Sequence, residues 1–234
     1  MDILEIKNKL AKKSTLLYVD DSNVINPTEK SCIGKVNCQI EGENLPIDID
    51  GNEMLPLATF FLDGLSGVPE SVKDYYCCSI FISENILEHY KTKYDGYYKV
   101  RMYKKTDNLV SCDWQSEVFK GLPLKTKEVN NDYPVWDGGG IPLDIEDEIM
   151  KLSDEEGIDY FDDIYESDGE THKIGGYPHY IQSGKWDKEN YEFIFQINSD
   201  KKINLNIGDG GSFYLFYSKK LQKWELQCDF YWYL

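Results

Sequence analysis

The sequence of 234 residues is short of positive charge and contains no long apolar run. Lys and Arg number 25 against 42 Asp and Glu, so the formal net charge is −17. A chain this acidic repels phosphate backbones, which argues against a nucleic-acid partner. No apolar stretch approaches the ~18 residues that a membrane-spanning helix needs, so no membrane association is predicted. The 41% of hydrophobic residues exclude a disordered chain and indicate a folded core.

Motifs of catalysis and of cofactor binding are also missing. The glycine-rich stretches 136–140 and 208–211 lack the P-loop form, and the residues after 211 are typical of a strand rather than a helix. No C-x-x-C pair occurs, and glycines separate His172 from His179, which excludes the helical spacing of a zinc-binding pair. The sequence therefore predicts no catalytic residue, no metal and no cofactor. A Cys–His nucleophile pair formed only in space stays open.

The N-terminus lacks the apolar core and the cleavage site of a secretory signal, which predicts a cytoplasmic protein. Ile3, Ile6 and Leu10 have the spacing of one helix face. They predict an amphipathic helix over residues 2–13, with Asp2 as N-cap, docked on the body of the protein rather than on a membrane or a partner. In a reducing compartment the cysteines are expected to be structural thiols. They are Cys32, Cys38, Cys77, Cys78, Cys112 and Cys228.

Several runs rich in aromatic and β-branched residues predict strands, and Gly, Asn, Asp and Ser residues between them predict turns. The clearest runs are residues 75–82, 97–103, 191–197, 212–217 and 224–230. The predicted fold class is therefore α+β and β-rich, with an N-terminal helix and a few short helices at the surface.

The two halves of the chain share an order of glycine turn, apolar strand, loop and aromatic strand. The halves span residues 30–105 and 170–234. This order predicts an internal duplication, in which two similar β units share one core. Residues 106–169 would connect the two units within a single domain, 1–234.

Residues 144–170 hold 13 acidic residues and one Lys, which is −12 of the net charge. Apolar residues recur there at helical spacing and predict one or two short surface helices. They are Ile145, Ile149 and Leu152, and then Ile158, Phe161 and Tyr165. The acidic surface either serves solubility or binds a basic protein. The candidate contacts are Asp159, Asp162, Asp163 and Glu166.

A second group of candidate residues lies near the C-terminal strands. Gln196 and Asn198 alternate with an apolar residue on one strand, so both face the same side. Their amides either bond to backbone inside the protein or line a groove. Asp200 and Asp209 flank a short loop segment, where they either cap turns or approach each other closely enough to bind a cation.

Four ordered segments carry a family resemblance. They are His172–Pro178 with Ile181 and Gln182, Phe193–Asp200, Gly208–Phe216 and, in the first half, Leu55–Leu62. Together they resemble the bacterial YwqG-like family of unknown function. Thr59 and Phe61 stand where that family usually has Gln and Asn, and Ile207 stands where it often has Trp. The resemblance implies a cytoplasmic, duplicated, β-rich α+β protein and carries no catalytic assignment.

These observations lead to two functional hypotheses. The first is a non-enzymatic, monomeric binding protein that uses its acidic segment to hold a basic protein, in the sharper form an immunity-type protein that neutralises a basic toxin. The alternative is a small-molecule or metal binding protein, or an enzyme, with a cleft between the two β units. Gln196, Asn198, Asp200 and Asp209 would contact the ligand in that cleft. A scaffold role is not separable from the first hypothesis by sequence.

Overall fold

The computed structural model describes residues 1–19, 31–88, 94–166, 171–182, 184 and 186–229. Within them the helices are α1 (Ile3–Leu10), α2 (Asn85–Glu88) and α3 (Leu143–Glu156). The strands are β1 (Lys12–Val19), β2 (Cys32–Ile33), β3 (Lys35–Ile40), β4 (Leu55–Phe61), β5 (Cys77–Ile82), β6 (Tyr98–Tyr103), β7 (Leu109–Gln115), β8 (Leu122–Asp132), β9 (His172–Gly175), β10 (Glu192–Asn198), β11 (Ser212–Ser218) and β12 (Lys223–Asp229).

Ten of these strands form one antiparallel sheet in the order β12-β11-β10-β9-β1-β8-β2-β4-β5-β6. Its centre is the pair β1–β8, which runs in register from Ser14 opposite Val129 to Val19 opposite Leu124. The sheet curves around the main core until its two end strands meet, so it is nearly closed. Strands β3 and β7 form a separate two-stranded sheet that contacts β4.

The prediction of an α+β fold with two similar β units sharing one core is wrong. The described chain is mostly β, and strands from both halves belong to one sheet. The region 106–169, predicted to be a connection, supplies the 11-residue β8, which pairs with β1 at the centre of that sheet. Helix α1 ends early because Lys12 already belongs to β1, whose Thr15, Tyr18 and Val19 favour a strand.

Several local predictions are confirmed. Asp2 caps α1 through a capping box with Glu5, and Ile6 and Leu10 are buried, although the helix ends at Leu10 rather than at residue 13. The five aromatic runs coincide with β5, β6, β10, β11 and β12 to within two residues. All six cysteines are free thiols.

The acidic segment forms α3 and a turn of π-helix at Tyr160–Ile164. These two elements pack with α1, and we call the three together the helical layer. Ile145, Ile149 and Leu152 are buried as predicted and join α1 in a small core of their own. Ile158 and Tyr165 are partly buried against the same core, as predicted, but Phe161 is exposed and Tyr160 and Ile164 are buried in its place, so the prediction for Phe161 is wrong. No helix in the described part of the chain has both the length and the apolar composition that crossing a membrane requires.

Candidate functional site

A buried ion cluster lies where β8 ends and β9 begins. Lys173 Nζ is 2.9 Å from Oδ1 and 3.0 Å from Oδ2 of Asp132, and the two residues are 1% and 4% exposed. The backbone N–H of Tyr177 donates to Asp132 Oδ2 at 2.7 Å. With His179 included, three donor groups make four contacts with one carboxylate, and buried charges need such complete pairing.

Two glycines explain why the chain can pack this closely around Asp132. Gly175 and Gly176 both have positive φ, at 72° and 73°, a backbone conformation that favours glycine. A Cβ on Gly176 would collide with Asp132 Oδ2, and a Cβ on Gly175 would collide with the carbonyl oxygen of Gly67. The sequence Lys-Ile-Gly-Gly-Tyr therefore encodes a tight turn over the carboxylate.

His179 is the third member of the cluster. Its Nε2 lies 3.2 Å from Asp132 Oδ1 and 3.1 Å from the carbonyl oxygen of Tyr133. Since both neighbours are acceptors, Nε2 carries the proton in the neutral ring, which leaves Nδ1 as an acceptor. No described residue donates to Nδ1. Asp132 therefore orients the imidazole of His179, and the Nδ1 atom can accept a hydrogen bond from a bound molecule.

Burial and pairing oppose each other in the titration of this cluster. Burial lowers the pKa of Lys173, although the Asp132 carboxylate acts against it. Burial by itself raises the pKa of Asp132, but the Lys173 ammonium and the hydrogen bond from His179 hold it below its usual value. Burial, followed by the charge of Lys173, lowers the pKa of His179. At neutral pH, Asp132 is thus ionised and His179 is uncharged.

The cluster borders a groove of about 460 Å³ on the face of β1, β8 and β9 that points away from the main core. Leu16 and Val129 are its apolar residues. Its polar lining includes Lys127, Glu128, Asn130, Asn131, Glu166 and Thr171, besides the three cluster residues. The groove can therefore offer donors and acceptors of both charges to a small polar molecule.

The predicted amides lie behind this groove rather than in it. Gln196 and Asn198 face the same side of β10 and are buried. Gln196 Oε1 accepts the backbone N–H of His179 at 2.9 Å, and its Nε2 donates to Asn198 Oδ1 at 2.9 Å. Ser212 also donates to Asn198. The amides thus fix the backbone that carries His179.

The two predicted carboxylates of the C-terminal half have different surroundings. Asp200 caps the short turn after β10 through Lys202 N–H, and its Oδ2 is 3.6 Å from His172 Nε2. The proximity of the His172 ring lowers the pKa of Asp200. Asp209 is exposed in the turn before β11. In the part of the chain that the structure describes, no three His, Cys, Asp or Glu side chains are grouped to hold a metal.

Three of the four acidic candidates accept hydrogen bonds from other described residues. Asp159 caps the π-helical turn by accepting the N–H groups of Phe161 and Asp162, and Asp163 accepts the N–H of Asp159. Glu166 accepts from Lys7 at 3.1 Å and from Asn131 at 2.6 Å, which places it at the rim of the groove. Asp162 alone of the four has a carboxylate that points to solvent without such a partner among the described residues.

Sequence reasoning missed the residues at the centre of this site, Asp132 and Lys173. They are 41 positions apart, and each ends or begins a strand. The one available signal was the lysine inside the run His-Lys-Ile-Gly-Gly, because a charge in a buried strand needs a partner.

Fold and site together define a mostly β protein with a nearly closed sheet, an acidic helical layer and a polar groove between them. The chain belongs to the family described as Domain of unknown function (DUF1963), whose model matches residues 57–226. That range runs from β4 to β12 and includes the three cluster residues. No curated protein matches the chain.

Proposed function

We propose that this chain is a protein-binding module that holds a basic protein through its helical layer. The observation that supports this function is a set of exposed carboxylates on and after α3. Within the described chain, ion pairs from this segment involve only Glu148, with the N-terminal ammonium, and Glu166, with Lys7. Six further carboxylates of the segment are exposed and make no ion pair with another described residue, and we call them the acidic surface. They are Asp144, Asp147, Asp154, Glu155, Glu156 and Asp162.

Apolar side chains lie within the same surface. Leu143, Asp147, Met150 and Asp154 follow the spacing i, i+4, i+7 and i+11, so they form one stripe on the side of α3 opposite its buried face. Leu143 is 79% exposed and Met150 is 50% exposed. A solubilising face needs no such residues, whereas an interface gains affinity from apolar contacts and specificity from the charges around them. The complementary partner therefore has a cationic surface with an apolar centre.

Electrostatic attraction would speed the encounter with such a partner. In the sharper form of the proposal, the partner is a basic toxin and this chain is an immunity-type protein that covers the toxin's cationic site. Within its family, we further propose that the chain is of the bacterial YwqG-like kind, on the four segments that resemble it. Both statements extend the binding proposal and depend on it.

The experiment is a capture of basic proteins from the source lysate, followed by kinetics on the captured protein. The test variant carries Asp147→Lys, Asp154→Lys and Asp162→Lys, because these side chains make no contact that the fold requires. A matched control carries Glu53→Lys, Asp74→Lys and Glu117→Lys, which are exposed acids outside the segment. We expect the test variant to associate at least tenfold more slowly at low salt, with most of the difference gone at 1 M salt.

Two results would contradict the proposal. One is equal association of the test and control variants, since net charge alone would then explain the attraction. The other is a captured partner whose binding is indifferent to salt. The toxin form has its own test, in which co-expression of this chain restores growth to cells that make the captured protein and the test variant does not.

A second candidate function is the binding of a small polar molecule in the groove. It is favoured by one observation, the carboxylate-oriented His179 whose Nδ1 has no donor in the described chain. Thermal shift against amino acids, sugars and dicarboxylates, each at millimolar concentration, tests it. A ligand that stabilises the protein should lose that effect in His179→Gln and keep it in Lys99→Gln, an exposed control on β6. A ligand with the same effect on both variants binds elsewhere.

A further inference from the structure

Two thiols meet between the small sheet and the large one. Cys38 on β3 and Cys77 on β5 have their Sγ atoms 3.6 Å apart, and the residues are 4% and 0% exposed. They pack with Tyr103 in a cluster that Ile40 and Leu109 help to cover. The other described cysteines have no sulfur partner at this distance: Cys32 and Cys112, for example, donate to backbone carbonyl oxygens.

We propose that Cys38 and Cys77 are a redox modification site, at which a peroxide converts the two thiols into a disulfide that joins the two sheets. A disulfide has an S–S distance of about 2.05 Å, so the sulfurs need to approach by roughly 1.5 Å, which side-chain rotation can supply. This inference is independent of the partner and ligand proposals above.

The surroundings assign different roles to the two sulfurs. The hydrogen bond with the Cys77 sulfur, in which either thiol can donate, lowers the pKa of Cys38 in spite of its burial. The hydrogen bond to Cys38 and burial raise the pKa of Cys77. Because the thiolate is the nucleophile, Cys38 is the sulfur that reacts first. It is also the less buried of the pair.

The chemistry balances with one peroxide. The Cys38 thiolate attacks one peroxide oxygen, the O–O bond breaks, and hydroxide leaves as Cys38 becomes a sulfenic acid. The Cys77 sulfur then attacks the sulfenic sulfur, the S–S bond forms, and the sulfenic oxygen leaves as water with the thiol proton. Two thiols lose two electrons and two protons in total, and the peroxide is reduced to two waters. A thiol reductant restores the starting state.

The test treats the full chain with one to five equivalents of hydrogen peroxide and then alkylates it under denaturing conditions. Before alkylation we expect a mass loss of about 2 Da, reversed by a thiol reductant. After alkylation we expect two fewer modified cysteines than in the untreated chain, and a linked peptide pair that contains Cys38 and Cys77. A bond from Cys38 to Cys112 would overturn the proposal. Peroxide oxidation that leaves both Cys38 and Cys77 open to alkylation would overturn it as well.

Variants separate the two roles. Cys77→Ser should leave a sulfenic acid on Cys38 that a dimedone probe labels, whereas Cys38→Ser should abolish both the label and the disulfide. Cys78→Ser is the matched control, since Cys78 is the adjacent buried cysteine and should leave the reaction unchanged. If the serine variants fold poorly, peptide mapping of the wild-type chain decides the proposal by itself.

Discussion

The hydroxyl of Tyr98 on β6 donates to the carbonyl oxygen of Trp224 on β12 at 2.7 Å, so the first and last strands of the ten-stranded sheet are joined. An ion pair from Lys223 to Asp95 lies beside this contact at 3.0 Å. Unpaired edge strands are a liability for a β protein, because they can pair with other chains. The Tyr98 hydroxyl therefore protects the edges as well as stabilising the fold.

Removal of this hydroxyl should loosen the closure without unfolding the protein. Tyr98→Phe is expected to lower the free energy of unfolding by about 1 kcal/mol, the typical value of one hydrogen bond. Hydrogen exchange should become faster in β12 and stay unchanged in β1. Tyr18→Phe is the control, because Tyr18 is 36% exposed. Equal effects of the two substitutions would show that the Tyr98 contact adds no stability.

The close packing of Gly176 against Asp132 predicts that alanine is less well tolerated at Gly176 than at Gly42, another glycine with positive φ. Gly42→Ala places a Cβ at positive φ in open space, so it should cost about 1–2 kcal/mol. Gly176→Ala has the same conformational cost and in addition forces Asp132 to move. Urea unfolding should therefore show a clearly larger loss for Gly176→Ala. Similar losses for the two variants would contradict the packing described for this turn.

The ion pair beneath the groove should behave as one unit. Asp132→Asn leaves a buried ammonium without its counter-charge, and we expect a loss of about 3–5 kcal/mol. Lys173→Met should also destabilise the protein. The double variant is expected to lose less than the sum of the single variants, since neither unpaired charge remains. Additive losses in a double-mutant cycle would mean that the two side chains do not stabilise each other.

The lowered pKa of His179 predicts a pH dependence with a definite sign. The folded state resists protonation of this ring, whereas the unfolded state takes up a proton near the ordinary pKa of 6.5. The neutral His179 ring therefore contributes its full stabilisation above pH 6.5. This contribution is lost as the pH falls from 6.5 towards the lowered pKa of His179 in the folded state. His179→Gln should flatten the unfolding free energy between about pH 7.5 and pH 5.5. If His179→Gln leaves the slope of the unfolding free energy against pH unchanged, His179 is not the source of the pH dependence.

The apolar residues of the acidic surface should act on dissociation rather than on association. Leu143→Ser and Met150→Ser change exposed side chains, so stability should stay within about 0.5 kcal/mol of wild type. Once a basic partner is captured, both substitutions should speed its dissociation and leave the association rate unaltered, in contrast to the charge reversals. Surface plasmon resonance separates the two rates. A slower association with unchanged dissociation would place these residues outside the contact.

Local patterns could be predicted from the sequence, and long-range pairing could not. The spacing of Ile145, Ile149 and Leu152 indicates their buried face correctly, because a helix of 14 residues repeats its pattern several times. The π-helical turn has five residues, too few for a period to show, so Phe161 was assigned to the wrong side. Strand β8 carries exposed polar residues along most of its length, which hid a central strand.

The candidate site shows the same limit. Gln196 and Asn198 were correctly assigned to one face of their strand, because alternation is a local property. Their partner, the backbone of His179, depends on how a loop folds back over β10. Asp132 and Lys173 depend on two strands that both pair with β1. The sequence spacing within β8 or within β9 does not indicate that Asp132 and Lys173 are in contact.

The segment that carries α3 and the π-helical turn begins and ends beside the Asp132–Lys173 ion pair. The chain leaves the sheet at Asp132 and re-enters it at His172, next to Lys173, on strands that both flank β1. The described residues between them, 133–166 and 171, contain no strand of the large sheet, so insertions at exposed loops of this segment should leave the register of the sheet unchanged as long as the Asp132–Lys173 pair and the contact with α1 are kept. Under the proposed binding function, substitutions on the exposed face of residues 133–166 change the contact surface without touching the strands of the sheet. The sheet then acts as a constant scaffold, and residues 133–166 as the variable surface that it carries.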